Sequence, residues 1–185
     1  MADWLGWGSD SLLLITISTT LVPLGSIFGA MTGGASSRLG RRKFLMISNI
    51  VILWGSCINC IPTTPTFLLA RFIAGLTVGA TASVCPLYNA EFVPNEIRGP
   101  LGNVFTVLLN VGILTGYILS LPILWLGFYW LYIIFAFPII PASIQLWNFM
   151  YYFKYEPPPW SIKKEKFDDA ISAINQVYFE DYASS

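Results

Sequence analysis

The stretch Gly29-Ala-Met-Thr-Gly33-Gly-Ala-Ser-Ser37-Arg38-Leu-Gly40-Arg41-Arg42-Lys43 is where the fold of this chain is decided. Its first part is small and apolar, with glycines four apart, and Gly25 extends the same series. Glycines at that spacing form a stripe along one side of a helix, against which a second helix backbone can approach closely. Its last part gathers Arg38, Arg41, Arg42 and Lys43 into a tight loop. A dense basic loop directly after an apolar helix holds a chain on one side of a membrane. An ordinary stop signal accounts for those charges but not for the glycine spacing.

Outward from this loop the charges stay away. Asp, Glu, Lys and Arg are absent from Ser11 to Ser37, Phe44 to Ala70, Phe72 to Ala90 and Gly99 to Phe153. One membrane helix needs roughly 20 apolar residues, so each of the first three stretches holds one and the last holds two. A patch from Ser120 to Gly127 containing Pro122 marks the turn between those two. The chain as a whole is 55% hydrophobic and 11% charged, with mean hydropathy +0.65. A soluble domain has about 25% charged residues, so a water-soluble globule is excluded. The sequence therefore predicts an all-α membrane protein, a five-span helical bundle with spans near 12–34, 44–62, 66–88, 101–121 and 127–150.

Cation placement orients it. Arg38, Arg41, Arg42 and Lys43 follow the first span, Arg98 lies between the third and fourth, and Lys154, Lys163, Lys164 and Lys166 follow the fifth. Segments 1–10, 59–66 and 121–128 carry no cation. The positive-inside rule puts segment 1–11 outside, the bundle at 12–153, and segment 154–185 in the cytoplasm. The basic n-region of a signal peptide is absent. After Glu156-Pro-Pro-Pro-Trp160, which cannot continue a helix, Phe167, Ile171, Ile174 and Val177 have the spacing of a short amphipathic helix. That helix lies either under the bundle or at the bilayer surface. Cys57 and Cys60 have CxxC spacing without a second ligand pair, so they read as packing residues.

Two further glycine stripes, Gly75/Gly79 and Gly112/Gly116, point to a tight bundle. Three motifs then combine in order. The basic loop resembles the major-facilitator motif between helices 2 and 3, in its sugar-porter form ending Gly-Arg-Arg. Arg71-Phe-Ile-Ala-Gly75-Leu-Thr-Val-Gly79 resembles the Arg-Phe pattern of family helix 4. Pro86-Leu-Tyr88-Asn-Ala-Glu91, followed by Arg98-Gly99, is similar to the sugar-porter joint of helices 4 and 5. Glu156-Pro-Pro-Pro-Trp160 is a degenerate match to the Pro-Glu-Ser-Pro-Arg-Trp that follows helix 6, with Pro159 in place of the Arg.

This resemblance to the sugar porters of the major facilitator superfamily implies a register in which the spans are helices 2 to 6 of the N-terminal half. Helix 1 and the C-terminal half are then lacking, and the chain by itself is expected not to transport. It implies gating salt bridges at Arg38, Arg41, Arg42, Glu91, Arg98 and Glu156, with Ser37 where the family has an acid. It implies a coupling role for Arg71, which otherwise snorkels toward the membrane edge. Thr106 falls where the family has a sugar-binding Gln, and Leu109, Asn110 and Ile113 fall on lining positions of the same helix. Thr106 and Asn110 share a face at i, i+4, and hydrogen bonding between helices is the favoured account of that pair.

Transport of a sugar or similar small polar solute, such as a hexose, is therefore the expected function, by alternating access as a facilitator or proton symporter. The alternative is a non-transporting membrane protein that associates with other transporter helices. Zero net charge and the absence of His leave no nucleic-acid footprint and no His-based metal site. The sequence holds no nucleophile–base pair, metal cluster or phosphate loop. An enzyme is not expected, and neither are catalytic residues, a metal or a cofactor; the expected partners are the lipid bilayer and the solute.

Overall fold

A computed structural model describes residues 11–61, 63–92, 95–122, 129–152, 156–165, 167–168 and 171–172. Among these residues there is no strand. Helix α1 (Ser11–Thr32) runs through a 3-10 turn (Gly33–Ala35) into the short α2 (Ser36–Leu39). Then follow α3 (Arg41–Asn59), α4 (Thr64–Phe92), α5 (Asn95–Ser120), α6 (Tyr129–Ala136), α7 (Ile139–Tyr151) and α8 (Pro158–Lys163).

Helix α1 is rich in Ser and Thr, and its local bonding explains why that is compatible with lipid. Thr16, Thr19, Thr20 and Ser26 each donate their hydroxyl to a carbonyl three or four residues back. No polar hydrogen from these side chains is left facing hydrocarbon.

The α1–α4 crossing is the tightest feature of the bundle. A Cβ added at Gly25 would meet Phe72 O, and one at Gly29 would meet Leu76 O. From the other side, a Cβ at Gly75 would meet Val22 O and one at Gly79 would meet Ser26 O. The two backbones lie in contact because glycine at these four positions leaves no side chain between them.

Among the described residues, four helical stretches are long and apolar enough to cross a membrane: Leu12–Ala35, Thr64–Glu91, Gly99–Ser120 and Trp130–Tyr151. Helix α3, which covers the expected span 44–62, is not among them. Its 19 residues extend about 28 Å, close to the membrane thickness, but three cations take its first turn and Ser48, Asn49, Ser56 and Asn59 dilute the rest. It packs against α4 and α7. Phe44, Leu45, Ser48, Asn49 and Ser56 are buried there, so protein covers the polar residues.

The expected continuous span 127–150 is bent. Helix α6 stops at Ala136 and α7 begins at Ile139, with Phe137 and Pro138 in a turn between them. Pro138 has no N–H for the helical ladder, and Pro141 follows one turn later. The Trp130 indole N–H donates to Leu119 O at 2.6 Å and ties the start of α6 to the end of α5. Residues 123–128 of the expected turn lie outside the described residues.

Side chains close the bundle at its two ends. Phe44, Leu45, Ala80, Val84, Tyr88 and Phe149 form one cluster, with the Tyr88 and Phe149 rings edge to face at 5.8 Å. Phe67, Leu131 and Phe135 form the other. Helix α5 takes almost no part: within its span Gly99–Ser120 no residue is buried.

Candidate functional site

The basic loop and the chain beyond α7 meet at one end of the bundle. Gly40 stands between α2 and α3 at φ 102, a backbone conformation that favours glycine. A Cβ there would run into the Glu156 carboxylate. Glu156 is 8% exposed and accepts hydrogen bonds from the backbone N–H of Arg42 at 2.9 Å and of Lys43 at 3.1 Å. A carboxylate across the first N–H groups of a helix satisfies donors that have no intrahelical partner and meets the positive end of the helix dipole.

The two neighbouring arginines reach in different directions. Arg41 Nε donates to Glu91 Oε2 at 2.5 Å, joining α3 to α4, and Arg41 Nη1 donates to the buried Ser36 hydroxyl at 3.2 Å. Arg42 donates through Nε and Nη2 to Phe149 O, at 3.2 and 2.6 Å. That carbonyl belongs to the last turn of α7, where cations are favoured. One short loop thus holds α4, α7 and the segment entering α8.

Of the six residues expected in the gate, the structure brings Arg41, Arg42, Glu91 and Glu156 together. Arg38 is exposed on α2. Arg98 belongs to α5, and its side chain, like that of Ser37, lies outside the described residues. The Arg41–Glu91 pair has side chains 14% and 17% exposed, so solvent screens it little. A double-mutant cycle with Arg41→Ala and Glu91→Ala, read by unfolding in detergent, is expected to give a coupling of about 1–3 kcal/mol. Additive losses would show that the pair contributes nothing.

Arg71 adopts an arrangement the sequence does not specify. Its guanidinium carbon lies 4.9 Å from the Phe67 ring centroid and 5.8 Å from that of Phe135. Cation–π attraction between two aromatic faces offsets part of the cost of placing a cation inside a membrane helix. Helical spacing gives the nearness of Phe67 to Arg71; no local signal points to Phe135, more than sixty residues later.

The candidate solute residues are less gathered. A cleft of about 570 Å³ opens between α3, α4, α5 and α7, lined by Asn49, Thr77, Thr81, Leu109 and Gln145 among others. Leu109 is the one candidate that lines it; Thr106, Asn110 and Ile113 are exposed on α5. Thr106 donates to Gly102 O at 3.2 Å, and Asn110 donates to Thr106 O at 2.8 Å. Both donors therefore turn to their own helix. Asn49, 4% exposed with an unpaired Nδ2, is a lining residue that sequence reasoning missed, because a polar residue inside an apolar span carries no mark of the side it faces.

The family model described as Sugar (and other) transporter matches residues 7–181. The chain belongs to this sugar transporter family. Two similar curated proteins are the glucose transporter GlcP of Staphylococcus epidermidis, 30% identical over 90% of this chain, and plastidic glucose transporter 4 of Arabidopsis thaliana, 29% identical over 96%. A D-xylose transporter of Levilactobacillus brevis is 33% identical over 84% of the chain. The chain spans about a third of the length of these relatives: 36%, 32% and 34%.

Among solved structures, the major-facilitator proton:xylose symporter XylE bound to 6-bromo-6-deoxy-D-glucose superposes with a TM-score of 0.78 at 24% identity, covering 95% of this chain and 42% of that one. Inward-open XylE from E. coli gives 0.78 at 25% identity, covering 95% and 44%. The fold of this sugar transporter family member is therefore that of part of a major-facilitator bundle. Family membership and the four apolar helices together make it a multi-pass membrane protein.

Proposed function

We propose that the chain forms part of a transporter that moves a sugar or similar small polar solute by alternating access. The observation that carries this reading is the ion-bound end of the bundle, where Arg41–Glu91 and the Glu156 carboxylate on α3 join three helices through a few polar contacts. Alternating access needs two arrangements close in free energy, and a joint of directional polar contacts supplies separate closed and open states. No covalent chemistry, metal or cofactor enters the process.

In this reading the basic loop faces the cytoplasm and residue 1 lies outside, as the cation distribution supports. The solute passes along α5, where Thr106, Leu109, Asn110 and Ile113 meet it. Arg71 either helps couple transport to protons or anchors α4 against α6. A second reading, association with other transporter helices without transport, draws support from α5, where no described residue lies within 4 Å of a Cβ placed at Gly102, Gly112 or Gly116.

The test is a chimera in which residues 11–172 replace the matched segment of the staphylococcal glucose transporter, assayed for labelled glucose and xylose uptake in transport-deficient cells. Saturable uptake of either sugar is expected. A chimera that reaches the membrane and unfolds cooperatively, yet takes up neither sugar, contradicts the transport reading and favours the association reading.

A further inference from the structure

The segment beyond Glu156 carries apolar residues that the transport reading does not use. Its start is fixed: the Glu156 carboxylate sits on the first turn of α3, and Pro157 and Ser161 are fully buried. Pro157 is the residue before α8, and Pro158 and Pro159 occupy its first positions, where a missing N–H does no harm. The proline run that ends a helix in the sequence thus also starts one. Helix α8 ends at Lys163 with Lys164 as its C-cap, and Glu165 at φ 59 turns the chain.

Past the buried anchor the apolar side chains face outward. Ile162 is 51% exposed, Phe167 60% and Ile171 58%. Lys163, Lys164, Glu165 and Asp168 are exposed beside them. The level of this segment relative to the bilayer is marked independently by α7, whose last turns expose Trp147 and Tyr151 with their rings stacked at 4.3 Å. Exposed Trp and Tyr at a span's end belong at the boundary between hydrocarbon and headgroups. Glu156 is five residues beyond Tyr151 and bonded to the turn where α3 begins, so α8 leaves the bundle at that same boundary.

We propose that the described residues beyond Pro157 lie on the surface of the bilayer that holds the bundle, with Ile162, Phe167 and Ile171 inserted among the headgroups. The bilayer is continuous with the interface the spans already occupy, and it is the apolar phase nearest these side chains. The sequence here balances three lysines (163, 164 and 166) with three acids (165, 168 and 169), so apolar insertion and not anionic lipid drives the contact. Ile174 and Val177, which extend the pattern in the sequence, lie outside the described residues. The inference does not depend on what the bundle transports.

The test uses the full chain in phosphatidylcholine vesicles, with Cys57→Ser, Cys60→Ser and Cys85→Ala as background. Single cysteines are introduced as Glu165→Cys, Phe167→Cys, Asp168→Cys and Ile171→Cys and labelled with an environment-sensitive fluorophore. A spin label on the lipid near its headgroup is expected to quench the reporters at 167 and 171 about three-fold more than those at 165 and 168, with aqueous iodide showing the reverse order. Equal iodide quenching at all four sites overturns the proposal. Reporters at 167 and 171 shielded from both quenchers also overturn it, because protein and not lipid would then cover the face. Adding Phe167→Asp is expected to raise iodide quenching at 171 to the level seen at 168; no rise counts against insertion.

Discussion

A Gly79→Leu chain is expected to lose about 3 kcal/mol or more of stability, read as a shift of the unfolding transition in detergent. The first atom of the new side chain would clash with the carbonyl of Ser26 on α1, and backbone cannot move aside as a flexible side chain can. The helices must separate, and the seam that also includes Gly25, Gly29 and Gly75 opens along its length. Gly112→Leu on α5 is the matched control. It has the same spacing to Gly116 but open space around it, so its expected effect is within about 0.5 kcal/mol. Equal losses at 79 and 112 would mean that the α1–α4 crossing is not the close contact described.

Removing the Glu156 carboxylate is the second large effect. Glu156→Ala is expected to cost about 2–3 kcal/mol, more than a typical helix cap, because it leaves two N–H groups at a partly buried helix start without their acceptor and frees α8 from α3. Cleavage by added protease between residues 156 and 165 is expected to rise in the same variant. Gly40→Ala, which drives a Cβ into the same carboxylate at an unfavourable φ, is expected to reproduce most of the loss. Unchanged unfolding in both variants would remove the carboxylate from the account.

The fold was legible where its cause is local. Long uncharged stretches mark helices because lipid leaves no partner for bare backbone, and the glycine series at 25, 29, 75 and 79 marked a close crossing. The same spacing at 112 and 116 makes no close contact, because a stripe records what a helix permits and not which helix arrives. Pro138 lay in plain view, yet in a strongly apolar stretch it read as part of one span. The absence of charge that marks α3 as an expected span does not register Ser48, Asn49 and Ser56, which turn inward against α4 and α7.

The site was legible in its residue types more than in its contacts. Arg41, Arg42, Glu91 and Glu156 were singled out from motif positions, and they do lie together. Arg41 and Glu91 pair side chain to side chain, whereas Glu156 binds backbone N–H groups and Arg42 binds a backbone carbonyl. Main-chain donors and acceptors are present at every position, so no sequence signal distinguishes the ones a side chain will use. The Phe67 and Phe135 rings around Arg71 escaped notice for a related reason, since aromatic residues are abundant throughout the spans.

The central claim is that the ion-bound end of the bundle opens while sugar moves. Ser161, 1% exposed with a hydroxyl that makes no hydrogen bond, reports on that end with little disturbance. Ser161→Cys in a cysteine-free version of the glucose-transporter chimera would be reacted with a bulky charged maleimide, with and without glucose. The account predicts that glucose changes the labelling rate about ten-fold, as expected when a solute shifts the population of open and closed states. A rate that glucose leaves unchanged, in a chimera that takes up glucose, would contradict it.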